Sequence, residues 1–459
     1  MKLLTRRALV VLVLALLVIS GLLIFTVRYL GSASSWVQHS TNRHLYANGQ
    51  LKTTGTVYDR KGQILLQTVD GNLRYNDNQT VRMALMHTVG DPDDNVVTGA
   101  RVAFGKRLTG WNLINGAYRF NQRLSHFSSD ITLTLDADLC AVAYNALYGR
   151  KGTVGVYNYK TGEILCMVST PSFDPQYPPD INKDPERYEG VYINRFLSAA
   201  YTPGSVFKLV TAAAAIDKLP NIDSEVYHCD GKTIFAGEAV TCPSPHGDVN
   251  LEEALAKSCN VAFAHITLAL GADTLQEYAE KAGFNSSLEV NKIKTRIGRV
   301  NVKGAKGGDL AWAGIGQYSD TANPLTLMAY AGAIANDGVR ITPRILKPGL
   351  LSKLVGPIAR KDRILSAETA ASLGSMMRNN VHKTYGEGYY RGLELCAKSG
   401  TAQVGGDKAP HSWFVGYMDR DDCPLAFVVV VENGGGGSRV AGPIAGTVLR
   451  SAVSRLTGE

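Results

Sequence analysis

The hydrophobic positions of the chain begin with one long run and continue as shorter, patterned segments. In the run 8–27, Ser20 and Thr26 are the polar members. A helix of that length spans a bilayer core of roughly 30 Å. The run therefore predicts a membrane anchor at 8–28. A cleaved signal peptide is the alternative, because the small residues at 31–34 resemble a cleavage site.

The residues after this run are polar, rich in Gly and Asn, and irregular in pattern. Residues 56–65 predict two strands joined by a turn, and the alternation in 131–136 predicts a strand leading into a helix through Leu147. The chain is thus predicted to have four parts: a cytoplasmic segment at 1–7, the anchor at 8–28, a small non-catalytic α+β region at 29–135 and a catalytic domain at 136–459.

The catalytic domain alternates between apolar helices and strands. Its predicted strands are a hairpin at 153–158 and 164–169 and a meander at 395–403, 412–418 and 425–432. Its predicted helices are 205–216, 251–270 with a break near Ser258, 324–335 and 441–456. The stretch 227–247 is predicted to be irregular. Strands at both ends of a helical block predict an α+β fold, with an antiparallel sheet flanked by helices.

The net charge and the positions of the basic residues limit the possible location and partners of the protein. The net charge is +8, yet no basic run with interleaved aromatic residues appears, which argues against a nucleic-acid partner. The basic residues Lys2, Arg6 and Arg7 precede the apolar run. Positive residues stay on the cytoplasmic side, so a single-pass plasma-membrane protein with an extracytoplasmic catalytic domain is predicted.

Candidate chemistry starts at Ser205 and Lys208. Pro203 and Gly204 form a turn before an apolar helix, so Ser205 is expected in its first turn with Lys208 on the same face. A buried amine loses its proton more easily and can accept the proton of a nearby hydroxyl. This spacing predicts a serine nucleophile and its base, although a capping Ser beside a solvated Lys has the same pattern.

Two further clusters extend this site. Ser258 and Asn260 are expected to face one cleft, with Ser258 relaying a proton and Asn260 binding a substrate amide. Lys398 is expected to attract a carboxylate from a strand. The neighbouring substrate-binding candidates are Ser399, Gly400 and Thr401. Their hydroxyls would complete carboxylate binding, and Gly400 would let a ligand approach the backbone.

The order of these three clusters resembles the active-site serine penicillin-recognising enzymes. Segments 167–175, 314–317 and 411–417 resemble other parts of that family, and 55–62 is similar to the N-terminal signature of class B penicillin-binding proteins. The resemblance implies a serine-type D,D-transpeptidase that cross-links peptidoglycan stem peptides, is acylated by β-lactams and requires no cofactor for catalysis. It also implies a membrane glycan polymerase as partner.

Other functions of the same family are alternatives. A D,D-carboxypeptidase or a β-lactamase differs by using water as the acceptor. A β-lactam sensor or a non-catalytic scaffold of the wall-synthesis complex belongs to another functional class. The small cytoplasmic segment offers no output domain for a sensor, and intact Ser205, Lys208 and Lys398 argue against a scaffold.

Three cysteines and a histidine form a separate candidate metal site. Cys229, Cys242, His246 and Cys259 have a spacing suited to a tetrahedral zinc ion, and Asp230 could replace Cys229. Some clostridial-type relatives similarly carry zinc beside this motif. The alternatives are a disulfide between Cys229 and Cys242, or free thiols.

Overall fold

The long apolar run at the N-terminus forms part of the helix Lys2–Val37. The computed structural model describes residues 2–37, 46–47, 50–51, 54–69, 71–108, 130–348 and 360–458. Across these ranges, one helix is long and apolar enough to cross a membrane, over Thr5–Arg28 with a mean hydropathy of 3.2. This finding supports membrane anchoring by a single N-terminal helix.

The chain divides into two compact units. The smaller unit comprises Met1–Tyr58, Ile64–Tyr75 and Phe104–Ile131. Besides the anchor helix, its elements are the hairpin Tyr46–Ala47 and Gln50–Leu51, the short helix Gly105–Leu108, and a sheet ordered Asn72–Tyr75, Ile64–Val69, Val57–Tyr58 and Ile131–Thr132. The two strands predicted within 56–65 are confirmed, although the second continues to Val69.

The larger unit comprises Asp59–Gln63, Asn76–Ala103 and Thr132–Glu459. Its central antiparallel sheet has the order Leu395–Ala402, His411–Met418, Leu425–Val431, Gly152–Asn158 and Ile164–Thr170. Every residue of Leu425–Val431 is apolar and buried. The helices Pro324–Ile334 and Gly437–Thr457 pack on this strand and cover the sheet faces. This arrangement confirms the predicted α+β fold with a helix-flanked antiparallel sheet.

The remaining elements of the larger unit surround this sheet. Its other α-helices are Gln79–Val89, Ala100–Ala103, Ala137–Leu147, Arg195–Ser198, Lys208–Lys218, Leu251–Ala256, Asn260–Ala282, Gly307–Ala313 and Ala367–Asn380. Shorter helical turns are Ile181–Lys183, Gly204–Phe207, Val381–Tyr385 and Glu387–Tyr390. Four small two-stranded antiparallel sheets pair Tyr227–Cys229 with Gly247–Val249, Lys232–Phe235 with Glu238–Thr241, Glu289–Val290 with Ile293–Lys294, and Val339–Ile341 with Lys361–Arg363 in the described part of the chain.

The predicted hairpin, meander and major helices are confirmed, but four local predictions were wrong. The stretch 227–247 is not irregular, because short paired strands run through it. Only Ile131–Thr132 is strand in 131–136. The region before 130 contains the regular helix Gln79–Val89, which Asn78 caps. Ser205 lies in a 3₁₀ turn, and the α-helix begins three residues later, at Lys208.

Candidate active site

Ser205 lies in a turn that is fixed against the central sheet. Gly204 has a φ of +56°, and a Cβ there would lie 2.9 Å from the Thr401 carbonyl oxygen, so glycine is required. The indole Nε1 of Trp413 donates to the carbonyl of Thr202 at 3.0 Å. The turn therefore holds Ser205 beside the strand Leu395–Ala402.

Lys208 begins the helix that follows and is fully buried. Its Nζ donates to the Ser258 carbonyl at 2.7 Å, the Ser258 hydroxyl at 3.2 Å and Asn260 Oδ1 at 2.8 Å. Burial lowers the pKa of Lys208 to about 7, although the thiols of Cys259 and Cys242 act in the opposite direction. An amine with this pKa is neutral in a large fraction of molecules near neutral pH, and a neutral amine can act as a base.

The described residues show no hydrogen bond between the Ser205 hydroxyl and Lys208. The three acceptors of Lys208 come from the segment Ser258–Asn260 instead. The structure thus brings the predicted residues into one site, with the lysine held by the second cluster. A catalytic hydrogen bond that is absent from an unliganded site can form once substrate is bound.

The second cluster lies in a sharp turn between the helices Leu251–Ala256 and Asn260–Ala282. Ser258 has a φ of +54°, a left-handed conformation that is uncommon outside glycine and concentrates at functional sites. Asn260 is held on both sides, because its Nδ2 donates to the Thr241 carbonyl at 2.7 Å and its backbone N–H donates to Cys242 Sγ at 3.1 Å. One amide proton of Asn260 remains for a substrate carbonyl.

Lys398 enters the same site from the edge strand of the sheet. Its Nζ donates to the Ser258 hydroxyl at 3.0 Å and to the Ser399 carbonyl at 2.9 Å. Burial, and then the charge of Lys208, hold the pKa of Lys398 well below its usual range. The Ser258 hydroxyl therefore lies between two lysines whose protonation depends on each other.

A cleft of about 530 Å³ opens above these groups. Ser205, Ser258, Asn260, Ser399 and Thr401 line it, while Lys208 and Lys398 lie buried below. The rest of its lining is Thr241, Cys242, Pro243, His246, Lys257, Trp312, Ile315, Gln317, Gln403 and Pro410.

Gly400 belongs to the edge strand Leu395–Ala402 and faces the turn that carries Ser205. A Cβ there would lie 2.9 Å from the Pro203 carbonyl oxygen and 3.0 Å from Val206 Cγ1. The missing side chain thus makes room for the turn that carries Ser205. The predicted role, closer ligand approach to the backbone, stays a prediction.

The cysteines and histidine singled out in the sequence form one cluster on the cleft wall. The ligand atoms of Cys229, Cys242, His246 and Cys259 all lie within 4.8 Å of one another. Cys242 Sγ is 3.8 Å from both other sulfurs, and Cys229 Sγ is 3.6 Å from His246 Nδ1. Ligands bound tetrahedrally at zinc distances would be about 3.6–3.8 Å apart, so the cluster could hold a metal ion.

The same distances bear on the alternatives. A disulfide needs its sulfurs about 2.05 Å apart, whereas Cys229 and Cys242 are 3.8 Å apart as free cysteines. The Cys259 thiol and nearby backbone N–H groups lower the pKa of Cys242 to about 5. Asp230 lies outside the cluster, with its carboxylate 2.9 Å from His228 Nε2.

Two residues that hold the site were not singled out from the sequence. Thr241 binds Asn260 through its backbone carbonyl, which leaves no signal in the residue type. The hydroxyl of Tyr385 contacts both the backbone N–H and the hydroxyl of Ser399. The two residues are fourteen positions apart, and no local pattern joins them.

Comparisons with known proteins agree with this geometry. The family model for the penicillin binding protein transpeptidase domain matches residues 152–450. A relative described as peptidoglycan D,D-transpeptidase PbpA, from Mycolicibacterium smegmatis, is 27% identical over an alignment of 377 residues that covers 73% of this chain and 76% of the relative. Stage V sporulation protein D from Bacillus subtilis is 29% identical over 71% of this chain and 54% of its own length.

Solved structures show the same fold. The ceftriaxone acyl-enzyme complex of penicillin-binding protein A from M. tuberculosis has a TM-score of 0.74 at 24% identity, covering 87% of this chain and 98% of that one. PBP2 from Helicobacter pylori, solved in complex with MreC, has a TM-score of 0.71 at 19% identity, covering 89% and 98%. These similarities extend to nearly the full length of the solved chains.

Proposed function

The chain belongs to the penicillin binding protein transpeptidase family, and from this premise we propose that it is a serine-type peptidoglycan D,D-transpeptidase of class B. One observation carries the proposal. At the base of a cleft lined by Ser205 and Thr401, the Ser258 hydroxyl lies within 3.2 Å of the amines of both Lys208 and Lys398. This arrangement supplies a nucleophile, a base and a route for protons.

In the first half of the reaction, Ser205 attacks the penultimate D-alanine carbonyl of a stem peptide. Its proton passes to the neutral form of Lys208, whose pKa of about 7 makes that form available. The backbone N–H groups of Ser205 and Thr401 stabilise the oxyanion, where one donor contributes roughly 3 kcal/mol. The proton then reaches the departing amine through the Ser258 hydroxyl, and D-alanine leaves.

In the second half, an amine of a neighbouring stem attacks the acyl-serine ester. The same groups work in reverse, since Ser258 now receives the proton of the incoming amine and Ser205 regains its own from Lys208. Lys398, Ser399 and Thr401 bind the terminal carboxylate of the donor, and Asn260 binds an amide of its chain. A β-lactam mimics the donor and leaves a long-lived ester on Ser205.

The anchor supports the proposed location, and membership of the family supports the proposed partner. Its basic residues Lys2, Arg6 and Arg7 remain cytoplasmic, and the catalytic domain at 136–459 lies outside the plasma membrane. The region at 29–135 joins the two and is non-catalytic. A membrane glycan polymerase supplies the strands to be cross-linked, and the H. pylori complex with MreC shows that a related protein binds a partner.

We propose that the cysteine cluster binds a structural zinc ion, for which Cys229, Cys242, His246 and Cys259 would be the ligands. Four protein ligands fill a tetrahedral zinc site and leave no open position, which is typical of structural sites. Such an ion would stiffen the cleft wall, because Cys242 also accepts the backbone N–H of Asn260. Catalysis itself needs no cofactor.

Labelling with a fluorescent penicillin tests the function. The full-length chain in detergent should be labelled covalently, and Ser205→Ala should abolish the label while Ser224→Ala, an exposed serine elsewhere, keeps it. Incubation with a stem-peptide donor and an acceptor amine should then give more cross-linked than hydrolysed product. Persistent label in Ser205→Ala, or hydrolysis alone, contradicts the assignment.

A further inference from the structure

The outer edge of the strand Leu395–Ala402 is occupied by side chains of the same chain. This strand is at one edge of the central sheet, and alternate residues of an antiparallel edge strand direct their N–H and C=O groups outward. Arg378 donates to the Leu395 carbonyl at 3.1 Å, and Asn380 donates to the Ala397 carbonyl at 2.9 Å. By this alternation, the next outward residues are Ser399 and Thr401.

Tyr385 occupies the edge at Ser399. Its hydroxyl oxygen accepts the Ser399 backbone N–H at 2.9 Å and the Ser399 hydroxyl at 3.1 Å. Its ring packs edge-on against Phe414, the residue that pairs with Ser399 across the sheet. Burial raises the pKa of Tyr385, so the side chain remains a neutral phenol. The oxygen is thus held in place by packing as well as by hydrogen bonds.

The preceding residue reaches the opposite wall of the cleft. Thr384 Oγ1 donates to the carbonyl of Ala256 at 2.9 Å, and Ala256 ends the helix just before Ser258. The single turn Val381–Tyr385 therefore contacts the strand wall through one residue and the wall of Ser258 through its neighbour. This contact fixes Tyr385 relative to both walls.

We propose that Tyr385 is a positioning residue for donor recognition, which holds the Ser399 hydroxyl where it can bind the terminal carboxylate of the acyl donor. The inference rests on the proposed function and adds to it a residue outside the three catalytic clusters. In the free enzyme the Ser399 hydroxyl donates its hydrogen bond to the neutral phenol oxygen of Tyr385. A carboxylate is the stronger acceptor, so the Ser399 O–H turns to it while the Ser399 N–H stays bound to Tyr385.

Removing the phenol oxygen would release the Ser399 side chain. The hydroxyl would then populate several staggered rotamers and would have to be ordered again at each binding event. The cost should fall on donors that carry a carboxylate, because the other contacts of the donor do not involve this hydroxyl. A purely structural role for Tyr385 would affect all donors alike.

The test compares a fluorescent penicillin that has its free carboxylate with the methyl ester of the same compound, on the full-length chain in detergent. Tyr385→Phe should lower the second-order acylation rate about fivefold for the acid and less than about twofold for the ester. Tyr390→Phe is the matched control, since Tyr390 is also buried and stacks on the same Phe414. It should change neither rate.

Double variants sharpen the test. Ser399→Ala should show the same selective loss, and adding Tyr385→Phe to it should not change the ratio of acid to ester rates further, because the hydroxyl is already absent. Loss of the acceptor for the backbone N–H of residue 399 should affect both donors alike. Ser399→Thr should restore part of the rate in Tyr385→Phe, since a β-branched side chain limits the rotamers of its own hydroxyl. Both readouts separate positioning from a general effect on folding.

Equal losses for acid and ester in Tyr385→Phe, or a further fall in the ratio of acid to ester rates in the double variant, would overturn the inference. If Tyr385→Phe does not fold, Ser399→Ala decides, and an unchanged ratio of acid to ester rates then counts against it. Absence of labelling in the unmodified chain refutes the proposed function itself, and this inference with it. Label that survives in Ser205→Ala does the same.

Discussion

Each wall of the cleft is fixed in place by a different kind of interaction. The wall of Lys398 and Ser399 is a strand of the central sheet, paired residue by residue with His411–Met418 and backed by a buried apolar core. The wall of Ser258 and Asn260 is a sharp turn between two helices. It is held by side-chain contacts and by the cysteine cluster.

This difference indicates which parts of the site are most sensitive to substitution. A strand within a sheet is fixed by many backbone hydrogen bonds, so the loss of one side chain changes it little. The turn relies on few contacts, among them those of Asn260 with Lys208, Thr241 and Cys242. We therefore expect substitution of the residues that support the turn wall to slow acylation. Substitution of buried residues in the strand wall that do not line the cleft should affect mainly stability.

The largest effect is expected for substitution of Lys208, which lies buried below the cleft and donates hydrogen bonds to the turn wall. Lys208→Met removes the base and three hydrogen bonds to Ser258 and Asn260. Loss of a general base should slow acylation by a fluorescent penicillin about a thousandfold. Lys218→Ala, at the exposed end of the same helix, is the control and should keep the rate. A rate within tenfold of the unmodified chain would mean that another group is the base.

A smaller effect is expected when a thiol of each wall is removed in turn. Cys242→Ser should lower the zinc content of protein purified without added metal, and slow acylation roughly 10–100-fold, because the support of Asn260 is lost. Cys396→Ala, a buried thiol of the strand wall, should keep both zinc content and acylation rate. Metal analysis and labelling kinetics check this pair.

Two results would contradict the comparison of the walls. One is a zinc-free unmodified protein with an intact Cys229–Cys242 disulfide by mass spectrometry. The other is equal slowing in Cys242→Ser and Cys396→Ala, which would mean that the turn wall is no more sensitive than the strand wall.

The smallest predicted effect is a dependence of the acylation rate on pH, which is set by the pKa of Lys208. Its pKa is lowered to about 7, and only the neutral amine accepts a proton. The neutral fraction grows as pH rises, so acylation should increase about tenfold from pH 6 to pH 8, with a midpoint near 7. Stopped-flow labelling across this range measures it.

Cys396→Ala is the control for this profile. The thiol of Cys396 is not among the groups that shift the pKa of Lys208, so this variant should leave the midpoint in place. A rate that falls as pH rises through 7 would show that the protonated lysine is the active form.

The sequence predicted the parts of this site that depend on local periodicity. Ser205 and Lys208 are three residues apart in a helical segment, and the strand-like segments at 395–403, 412–418 and 425–432 predicted the meander. The break at Ser258 was visible because polar residues interrupt an apolar helix. The order of the clusters then indicated the family.

What escaped prediction depends on contacts between distant segments. The strands within 227–247 are three or four residues long, which is too short for a periodic pattern to show in the sequence. The hydrogen bonds between Thr241 and Asn260 and between Tyr385 and Ser399 join residues that are far apart in sequence, so no local pattern predicts them.

The occupied edge of the strand Leu395–Ala402 also bears on self-association. A bare sheet edge invites pairing with the edge of another copy, which is a common route to aggregation. Here Arg378, Asn380 and Tyr385 cover the edge up to Ser399. A second copy would have to displace all three, while a short acyl chain needs only the segment at Thr401. These three side chains thus leave the edge open to a peptide at Thr401, and they block pairing with the edge strand of a second copy.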